Sequence, residues 1–427
     1  MNINIPALFS LLLISGIASA QQTPNPAMCG TSELMQAAYD HQPEIRLERA
    51  SAESFTRQFL EDLAQQQAKT TAVDTYRIPV VFHVYGTTQG GKTVSDTLIQ
   101  SALQALNMDF NGLNADFGQV NSQFMPLRGT LNVQFKLARK DPNGLPTTGI
   151  EYFPVETGYA SYGTHDALIA ADAWDNYRYI NVYVMHDIFG NGATNNSGIA
   201  TYPSVVNNNS RISRIVYNGA LLGTNNFPGN PEFASVLTHE FGHYLNLIHT
   251  FEGGCSAPND NVADTPPCTT AQGCHTSPGS TLPLNCDGNL INSDNYMDYN
   301  ICYKMFTEGQ RDRMEAALSL DSRITLWQDS NLVFTGIKTP TTVAPTASAQ
   351  PARVHPNPSD GHFYIDLPQE GVYSISVSDA MGRIVYSAAW QMPGDRVTID
   401  LNDRPAGIYF LRLHSRQDTQ QLRLQRL

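Results

Sequence analysis

Hydrophobic and polar residues in the middle of the chain follow patterns that predict a set of strands. The unbroken apolar run Ile78–Tyr85 predicts a buried strand. Tyr179–Met185 predicts another strand, and Ser197–Tyr202 predicts a shorter one. A strand with one exposed face is predicted where four apolar residues alternate with polar ones, namely Leu131, Val133, Phe135 and Leu137.

Apolar residues at helical spacing predict helices around and after these strands. Ser95 is the expected N-cap of a helix, and Thr307 and Gln310 have the spacing of a capping box at the start of a later one. The first of these helices has an apolar stripe of Leu98, Ile99, Ala102, Leu106 and Phe110. Because the strands of a mixed sheet come first and helices follow, we expect an α+β domain.

Composition divides the rest of the chain around this domain, which we place at residues 76–330. Residues 21–75 are polar and lack enough large apolar side chains for a core of their own, so this segment should pack on the domain that follows. Residues 331–350 are rich in Thr, Pro, Ala and Ser, which predicts an extended linker. Residues 351–427 contain short strands at regular spacing, which predicts a small β-sandwich.

The N-terminus and the overall charge indicate an exported protein. The apolar run Leu8–Ile17 is too short to cross a bilayer and is followed by Ala18-Ser19-Ala20, so we interpret residues 1–20 as a signal peptide. No other segment is expected to span a membrane. The net charge of −13 argues against nucleic acid as a partner.

The chemistry of the chain centres on the sequence from His239 to His249. His239 and His243 are four residues apart, so on a helix both rings project from one face and can bind one metal ion. Glu240 is placed to act as a general base on a metal-bound water. With His249 as the third ligand, a zinc ion keeps its fourth position open for that water. The alternative is a helix with solvated histidines.

The third histidine requires a sharp turn in the chain. His249 follows His243 by six residues and would lie on another face of a continuous helix, so the helix must end near Asn246. The long motif resembles that of metzincin proteases, which usually carry Gly at this turn because it needs positive φ. Asn is the best substitute for Gly in that conformation.

Asn295-Tyr296-Met297-Asp298-Tyr299 resembles the Met-turn of metzincins. The resemblance implies that Met297 forms an apolar floor beneath the histidines, and that Tyr299 approaches the metal and steadies an oxyanion. The alternatives are an ordinary buried methionine and a core tyrosine.

Residues 78–320 also resemble the pappalysin family, including its bacterial members. Besides the motifs above, the resemblance lies in Ile78–Val84, Gly253-Gly254-Cys255, Val262–Pro266 and Phe306–Gln310. It implies a zinc endopeptidase with a cleft between two subdomains, and an edge strand at Ser197–Tyr202 that lines the cleft. An unpaired edge can bind an extended substrate as an added strand.

Five of the six cysteines fall in one irregular stretch, which suits an oxidising destination. The family resemblance implies the pairs Cys255–Cys286 and Cys274–Cys302, whereas the sequence alone leaves the connectivity open. The spacing argues against a structural zinc site. Asp260 and Asp264 lie in the same loop, where the resemblance favours calcium; the alternative is a solvated acidic loop.

Cys29, far upstream of the cluster, suggests a control device. If residues 21–75 are a pro-segment, the thiolate of Cys29 can occupy the open zinc position and keep the enzyme latent until the segment is removed. The competing hypothesis is a disulfide between Cys29 and the otherwise unpaired Cys268.

The last domain resembles the C-terminal sorting domain of the type IX secretion route of Bacteroidota. The resemblance is carried by Val354–Pro358, Pro405–Tyr409 and Gln421–Leu427. It implies recognition by the secretion machinery and a secreted or outer-membrane surface location in a Gram-negative, Bacteroidota-like bacterium. The alternative is an accessory binding module.

The sequence therefore predicts a secreted zinc endopeptidase, made as a latent precursor, that hydrolyses protein or peptide substrates. Two other classes compete with this interpretation: a zinc-containing surface adhesin that no longer cuts, and a metal hydrolase with non-peptide substrates.

Overall fold

The computed structural model describes residues 29–65, 75–223, 235–256, 259–269, 284–300, 302–339, 352–367, 373–380, 384–391, 396–414 and 419–427. The predicted signal peptide lies outside these residues. No helix in the described part of the chain is both long and apolar enough to cross a membrane.

The leading segment forms two helices. Helix α1 covers Thr31–His41 and helix α2 covers Pro43–Gln65. Both helices lie against the domain that follows. The apolar side of α1 packs on that domain's sheet. Leu34, Met35 and Ala38 are buried in one cluster with the sheet residues Tyr183 and Ile199.

The central domain is built on a mixed sheet, in agreement with the predicted α+β class. Its strands, together with short pairs outside the sheet, are β1 (Tyr76–Tyr85), β2 (Thr88–Gln89), β3 (Lys92–Thr93), β4 (Arg128–Gly129), β5 (Val133–Leu137), β6 (Ile150–Phe153), β7 (Ile180–Met185), β8 (Gly198–Ala200), β9 (Ile215–Asn218) and β10 (Phe306–Thr307). The main sheet has the order β5-β1-β7-β9-β8, with β6 also paired to β1.

The strands of this sheet pair in parallel except at one edge. β5, β6 and β7 all run parallel to β1, and β9 runs parallel to β7, whereas β8 is antiparallel to β9. β8 pairs with no other strand of the central sheet among the described residues, so the short strand predicted near Ser197–Tyr202 is its edge strand.

The helices of the central domain are α3 (Asp96–Phe110), α4 (Asp166–Asp172), α5 (Val205–Asn209), α6 (Val236–Tyr244), α7 (Glu308–Leu318) and α8 (Asp329–Phe334). Two of them, α3 and α7, begin at their predicted start signals. The Ser95 side chain accepts a hydrogen bond from the Leu98 N–H at the start of α3. Thr307 and Gln310 form the predicted capping box of α7.

One large apolar cluster holds the sheet to the helix that carries the metal motif. Phe135 on β5 meets Phe241 on α6 edge to face, with 4.7 Å between ring centroids, and Phe110 at the end of α3 packs on Phe135 at 5.2 Å. All three rings are buried. This packing sets the distance between the sheet and α6, and therefore the position of the histidines on α6.

The predicted start of the linker at residue 331 is wrong. Residues 329–334 form α8, and Leu332 is buried. The Thr335 carbonyl accepts hydrogen bonds from the Arg139 and Lys140 N–H groups at 2.9 and 3.0 Å. Tertiary hydrogen bonds and burial of one leucine therefore outweigh the turn-rich composition. The remainder of the predicted linker, from residue 340, lies outside the described residues up to Pro351.

The C-terminal residues form the predicted all-β domain. Its strands are β11 (Arg353–His355), β12 (His362–Asp366), β13 (Tyr373–Asp379), β14 (Ile384–Gln391), β15 (Arg396–Asp400), β16 (Gly407–His414) and β17 (Thr419–Arg426). Two antiparallel sheets, β11-β12-β15 and β14-β13-β16-β17, enclose an apolar core that includes Phe363, Val377 and Leu411.

The cap of α3 gives a direct test of this part of the fold. Ser95→Ala removes the acceptor for the Leu98 N–H, so the free energy of unfolding of the central domain should fall by about 1 kcal/mol. Denaturant titration of the precursor measures this change. Ser95→Asn is the matched control, because Asn caps helices as well as Ser does, and an equal loss in both variants would contradict the assigned cap.

Candidate metal centre and active site

Two histidines of the motif project from α6 into the interior of the protein. His239 and His243 lie one turn apart on this helix, and both are buried. The opposite side of α6 packs into the main core through Leu237, Phe241 and Tyr244. The helix is therefore fixed by its apolar face, and its histidine face is free to bind a ligand.

Asn246 ends this helix in the left-handed conformation that the sequence predicts, with φ of 77°. The Asn246 N–H donates to the His243 carbonyl at 2.9 Å, and the Leu247 N–H donates to the Gly242 carbonyl at 2.9 Å. These bonds close the helix end and turn the chain back on itself. As a result His249 returns to the face that carries His239 and His243.

The Nε2 atoms of the three histidines converge. The Nε2 atom of His243 lies 3.0 Å from that of His239 and 3.1 Å from that of His249. Each Nδ1 atom faces an acceptor: the Tyr296 carbonyl for His239 at 2.7 Å, and the Leu247 carbonyl for His243 at 2.8 Å. The Nδ1 atom of His249 faces the Glu252 carboxylate at 3.2 Å.

The hydrogen bonds of the three rings determine what kind of ion the centre can bind. Because each Nδ1 donates its proton to an oxygen, each Nε2 carries a lone pair, and three lone pairs at 3.0 to 3.1 Å repel unless a cation lies among them. Burial lowers the pKa of His239 to about 4 and also lowers the pKa values of His243 and His249, so the rings stay neutral. Three neutral imidazoles in this arrangement fit zinc.

The thiol of Cys29 completes this group. Its sulfur and the ligand atoms of the three histidines all lie within 4.8 Å of one another, the one such cluster found in the described part of the chain. Cys29 and Cys268 are both free and buried, so the structure contains no disulfide between them. Of the two hypotheses for Cys29, the geometry supports the one at the metal.

Glu240 lies beside this cluster in a closed environment. Its Oε2 atom is 3.4 Å from the Cys29 sulfur, and burial raises the pKa of Glu240 to about 8. The other carboxylate oxygen has no hydrogen-bond partner among the described residues. A Cβ at Gly198 would lie 2.8 Å from Glu240 Oε1, so only glycine lets the edge strand pass this close.

Met297 lies directly beneath α6, as the resemblance to the Met-turn implies. A Cβ at Gly242 would lie 2.6 Å from the Met297 sulfur, so the glycine in the histidine motif makes room for the methionine. Tyr299 lies on the other side of the centre. Its hydroxyl donates to the Cys29 carbonyl at 2.7 Å, and its ring centroid is 4.8 Å from that of His249.

The leading segment reaches the centre beside the edge strand. The Gly30 N–H donates to the Gly198 carbonyl at 3.1 Å, and the Ala200 N–H donates to the Thr31 hydroxyl at 2.9 Å. Residues 29–31 therefore lie against β8, with Thr31 at the start of α1.

Two carboxylates that support the centre were not identified from the sequence. Glu252 holds His249, and its three-residue spacing from that histidine is the one signal that the sequence offers. Asp109 on α3 accepts a hydrogen bond from the Thr238 hydroxyl at 2.6 Å, next to His239. No local pattern marks Asp109, because it meets α6 only through the tertiary fold.

One of the two disulfides predicted for the cysteine-rich loop is present among the described residues. Cys255 and Cys286 form a disulfide, as the family resemblance implies. Cys302 is also disulfide-bonded. Cys274 lies outside the described residues, so its pairing with Cys302 stays a prediction.

The acidic residues of this loop are held by the protein's own donors. Asp260 accepts from the Thr265 hydroxyl at 2.6 Å, and Asp264 accepts from the Thr307 hydroxyl at 2.7 Å and the Gly309 N–H at 2.9 Å. Burial raises the pKa of Asp260 to about 7. Calcium binding by these carboxylates stays a prediction.

Comparison with known families agrees with this geometry. Residues 163–319 match the family model described as pregnancy-associated plasma protein-A. An extracellular metalloprotease of Neurospora crassa is 27% identical over 307 residues, which cover 70% of this chain and 90% of that protein. Residues 353–425 match the model of a secretion system C-terminal sorting domain, which implies type IX secretion to the cell surface or the extracellular space.

Solved structures give the same result. Mature mirolysin of Tannerella forsythia, in complex with a cleaved peptide, is 30% identical and has a TM-score of 0.52, with 63% of this chain and 100% of that chain covered. A promirolysin mutant from the same organism is 27% identical with a TM-score of 0.57, over 74% of this chain and 100% of that chain.

The fold and the three-histidine cluster define a metalloprotease of the metzincin type. The chain belongs to the pappalysin family, as its sequence motifs predict. Its match to a promirolysin over 74% of the chain, against 63% for mature mirolysin, supports synthesis as a precursor.

Asp109 gives a pH-dependent test of the support for α6. Burial raises the pKa of Asp109 from 3.8 to about 6, although the hydrogen bond from the Thr238 hydroxyl opposes this shift. The folded protein therefore holds a proton that the unfolded chain has released, and stability falls as the pH rises from about 4 to 7. Relative to Asp109→Asn, the loss should approach about 3 kcal/mol.

Denaturant titrations of both proteins between pH 4 and 7.5, with a chelator present, measure this difference. The chelator excludes the pH dependence of metal binding, and other titrating groups cancel in the comparison. A difference that does not change with pH would contradict a buried, titrating Asp109.

Proposed function

We propose that this protein is a secreted endopeptidase whose zinc ion is held by His239, His243 and His249 and whose general base is Glu240. The observation that carries the proposal is the convergence of three unprotonated Nε2 atoms beside a buried carboxylate. Zinc bound there would polarise the carbonyl of the scissile peptide bond and lower the pKa of a water molecule towards neutrality.

Glu240 carries the proton transfers. Its Oε1 atom, which has no hydrogen-bond partner among the described residues, can accept a proton from the attacking water. The same carboxyl then delivers the proton to the nitrogen of the leaving amine.

Tyr299 and the edge strand position the substrate. In the precursor the Tyr299 hydroxyl donates to the Cys29 carbonyl, and we expect the same hydroxyl to donate to the carbonyl oxygen of the scissile bond as negative charge develops there. The backbone of Gly198, which accepts from Gly30, would pair with an extended substrate in its place.

The precursor is latent in this proposal because residues 21–75 block the centre. The Cys29 sulfur lies where the fourth zinc ligand belongs, and Thr31 pairs with the edge strand that a substrate needs. Removal of the segment would leave both positions to water and substrate. We further propose export through a signal peptide at residues 1–20 of a Bacteroidota-like bacterium, and calcium binding near Asp260 and Asp264.

Glu240→Ala tests the proposed base. Without the carboxylate the water has no proton acceptor, so the cleavage rate of the processed enzyme should fall by at least about 100-fold. The zinc content, measured by atomic emission, should remain near one ion per molecule because the histidines are unchanged. Glu61→Gln, an exposed change on α2 in the precursor, is the control for purification and processing. Normal proteolysis by Glu240→Ala would exclude Glu240 as the base.

Cys29→Ala tests the proposed latency. Loss of the sulfur opens the fourth metal position, so the uncut precursor should hydrolyse a fluorogenic peptide at least about 10 times faster than the parent precursor. Cys268→Ala removes the other free, buried thiol and should leave latency unchanged. A Cys29→Ala precursor that stays as inactive as its parent would refute the switch.

A further inference from the structure

A cluster of four residues joins the pro-segment to the helix end behind the metal centre. Arg49 and Glu53 lie on α2, Asn246 ends α6, and Arg313 lies on α7. We call these four residues the α2 latch. Among the described residues, the side chains of these four make no hydrogen bond to Cys29 or to a histidine of the metal centre.

Asn246 contributes its side chain to the latch. Its Oδ1 atom accepts from the Arg49 guanidinium, and its Nδ2 atom donates to the Thr56 hydroxyl at 3.5 Å. The turn itself needs only positive φ, which glycine supplies without a side chain. Asn246 therefore does more than tolerate the turn. Where metzincins usually carry Gly, its side chain adds two polar contacts with α2.

Arg313 and Glu53 form the charged half of the latch. Arg313 is 1% exposed, and its Nε donates to the Asn246 carbonyl at 2.8 Å. Its two terminal nitrogens donate to the two oxygens of Glu53, one of them at 2.8 Å, while Arg49 contacts the same carboxylate at 2.8 Å. Burial opposes ionisation of Glu53, yet Arg49 and Arg313 lower its pKa.

Further contacts of α2 extend this surface beyond the latch. The Arg49 guanidinium lies 4.2 Å from the centroid of the Tyr202 ring. One helical turn away from Glu53, Glu48 accepts from the Ser204 hydroxyl at 2.5 Å and from the Val206 N–H at 3.2 Å. The surface is thus complementary in charge and hydrogen bonding to one side of α2.

We propose that Asn246 and Arg313 form a metal-independent docking site for α2, which keeps the pro-segment bound after the chain has been cut between α2 and β1. The proposal rests on the proposed role of residues 21–75 as a pro-segment. It adds a second lock to the one at Cys29, and it makes release of the cut segment a separate step in activation.

The physical reason for slow release is the loss of contacts that Arg313 suffers when α2 departs. Its guanidinium is buried and loses both of its carboxylate contacts at once, and removal of one partner from a buried ion pair is costly. Interactions of this kind act mainly on dissociation rates. A cut segment should therefore dissociate slowly from the central domain, even when the Cys29 thiol is absent.

The test uses the full-length chain in a Glu240→Ala background, so that the enzyme cannot digest its own segment. A recognition site for a specific protease replaces the sequence between Gln65 and Thr75, the protein is cut, and size-exclusion chromatography follows release of the segment with time. Glu53→Gln weakens the ion pair from the pro-segment side, without any change to the mature domain, and should release the segment at least 10 times faster than the parent.

Asn246→Gly keeps the turn and removes only the side-chain contacts, so release should accelerate by about three- to tenfold, the effect of losing one or two hydrogen bonds. Glu61→Gln changes an exposed glutamate of the same helix and should release at the parental rate. Cys29→Ala should still retain the cut segment. Retention of the segment does not depend on proteolysis, so this result stands apart from the catalytic proposal.

Two results would overturn the docking site. One is release from the Glu53→Gln and Asn246→Gly proteins at the same rate as from the Glu61→Gln control. The other is release from Cys29→Ala that is complete as soon as the chain is cut, which would show that the thiol alone holds the segment.

Discussion

The structure depends on three converging imidazole nitrogens, with the His243 Nε2 atom 3.0 and 3.1 Å from the other two and no proton between them. Such an arrangement is unfavourable unless a cation compensates it, so every neighbouring group has to hold the rings in place. Two backbone carbonyls and Glu252 fix the Nδ1 protons. Met297 supports α6 from below through the space left by Gly242. The positive φ of Asn246 returns the third ring to its partners.

The pro-segment uses the contacts that a substrate would need. Cys29 points its sulfur at the histidines and gives its carbonyl to Tyr299, while Gly30 and Thr31 pair with the edge strand. In the proposed precursor, inhibition therefore needs no distortion of the centre, because the proposed catalytic groups are already in position and only their ligands differ. The helix α2 adds contacts on the far side of the α6 turn, so one residue, Asn246, takes part both in forming the centre and in holding the segment that covers it.

Sequence reasoning succeeded where the deciding interaction is local. The cap at Ser95, the box at Thr307 and Gln310, and the left-handed Asn246 are each determined within a few residues, and the structure contains all three. It failed at the start of the linker, where Leu332 and the Thr335 carbonyl are held by residues far away in the chain. Local composition carries no information about such partners.

The sequence by itself determined the class of chemistry. Residues spaced by four and six positions around a helix end can bind one metal ion in few ways, and alternation and periodicity determine which faces are buried. Only the tertiary structure decided what surrounds that site: Asp109 beneath α6, Glu252 on the third ring, and the arginines and Glu53 that hold α2. These groups are distant in sequence or unmarked by any repeat, and they meet because packing of the sheet, α3, α6 and α7 brings their elements together.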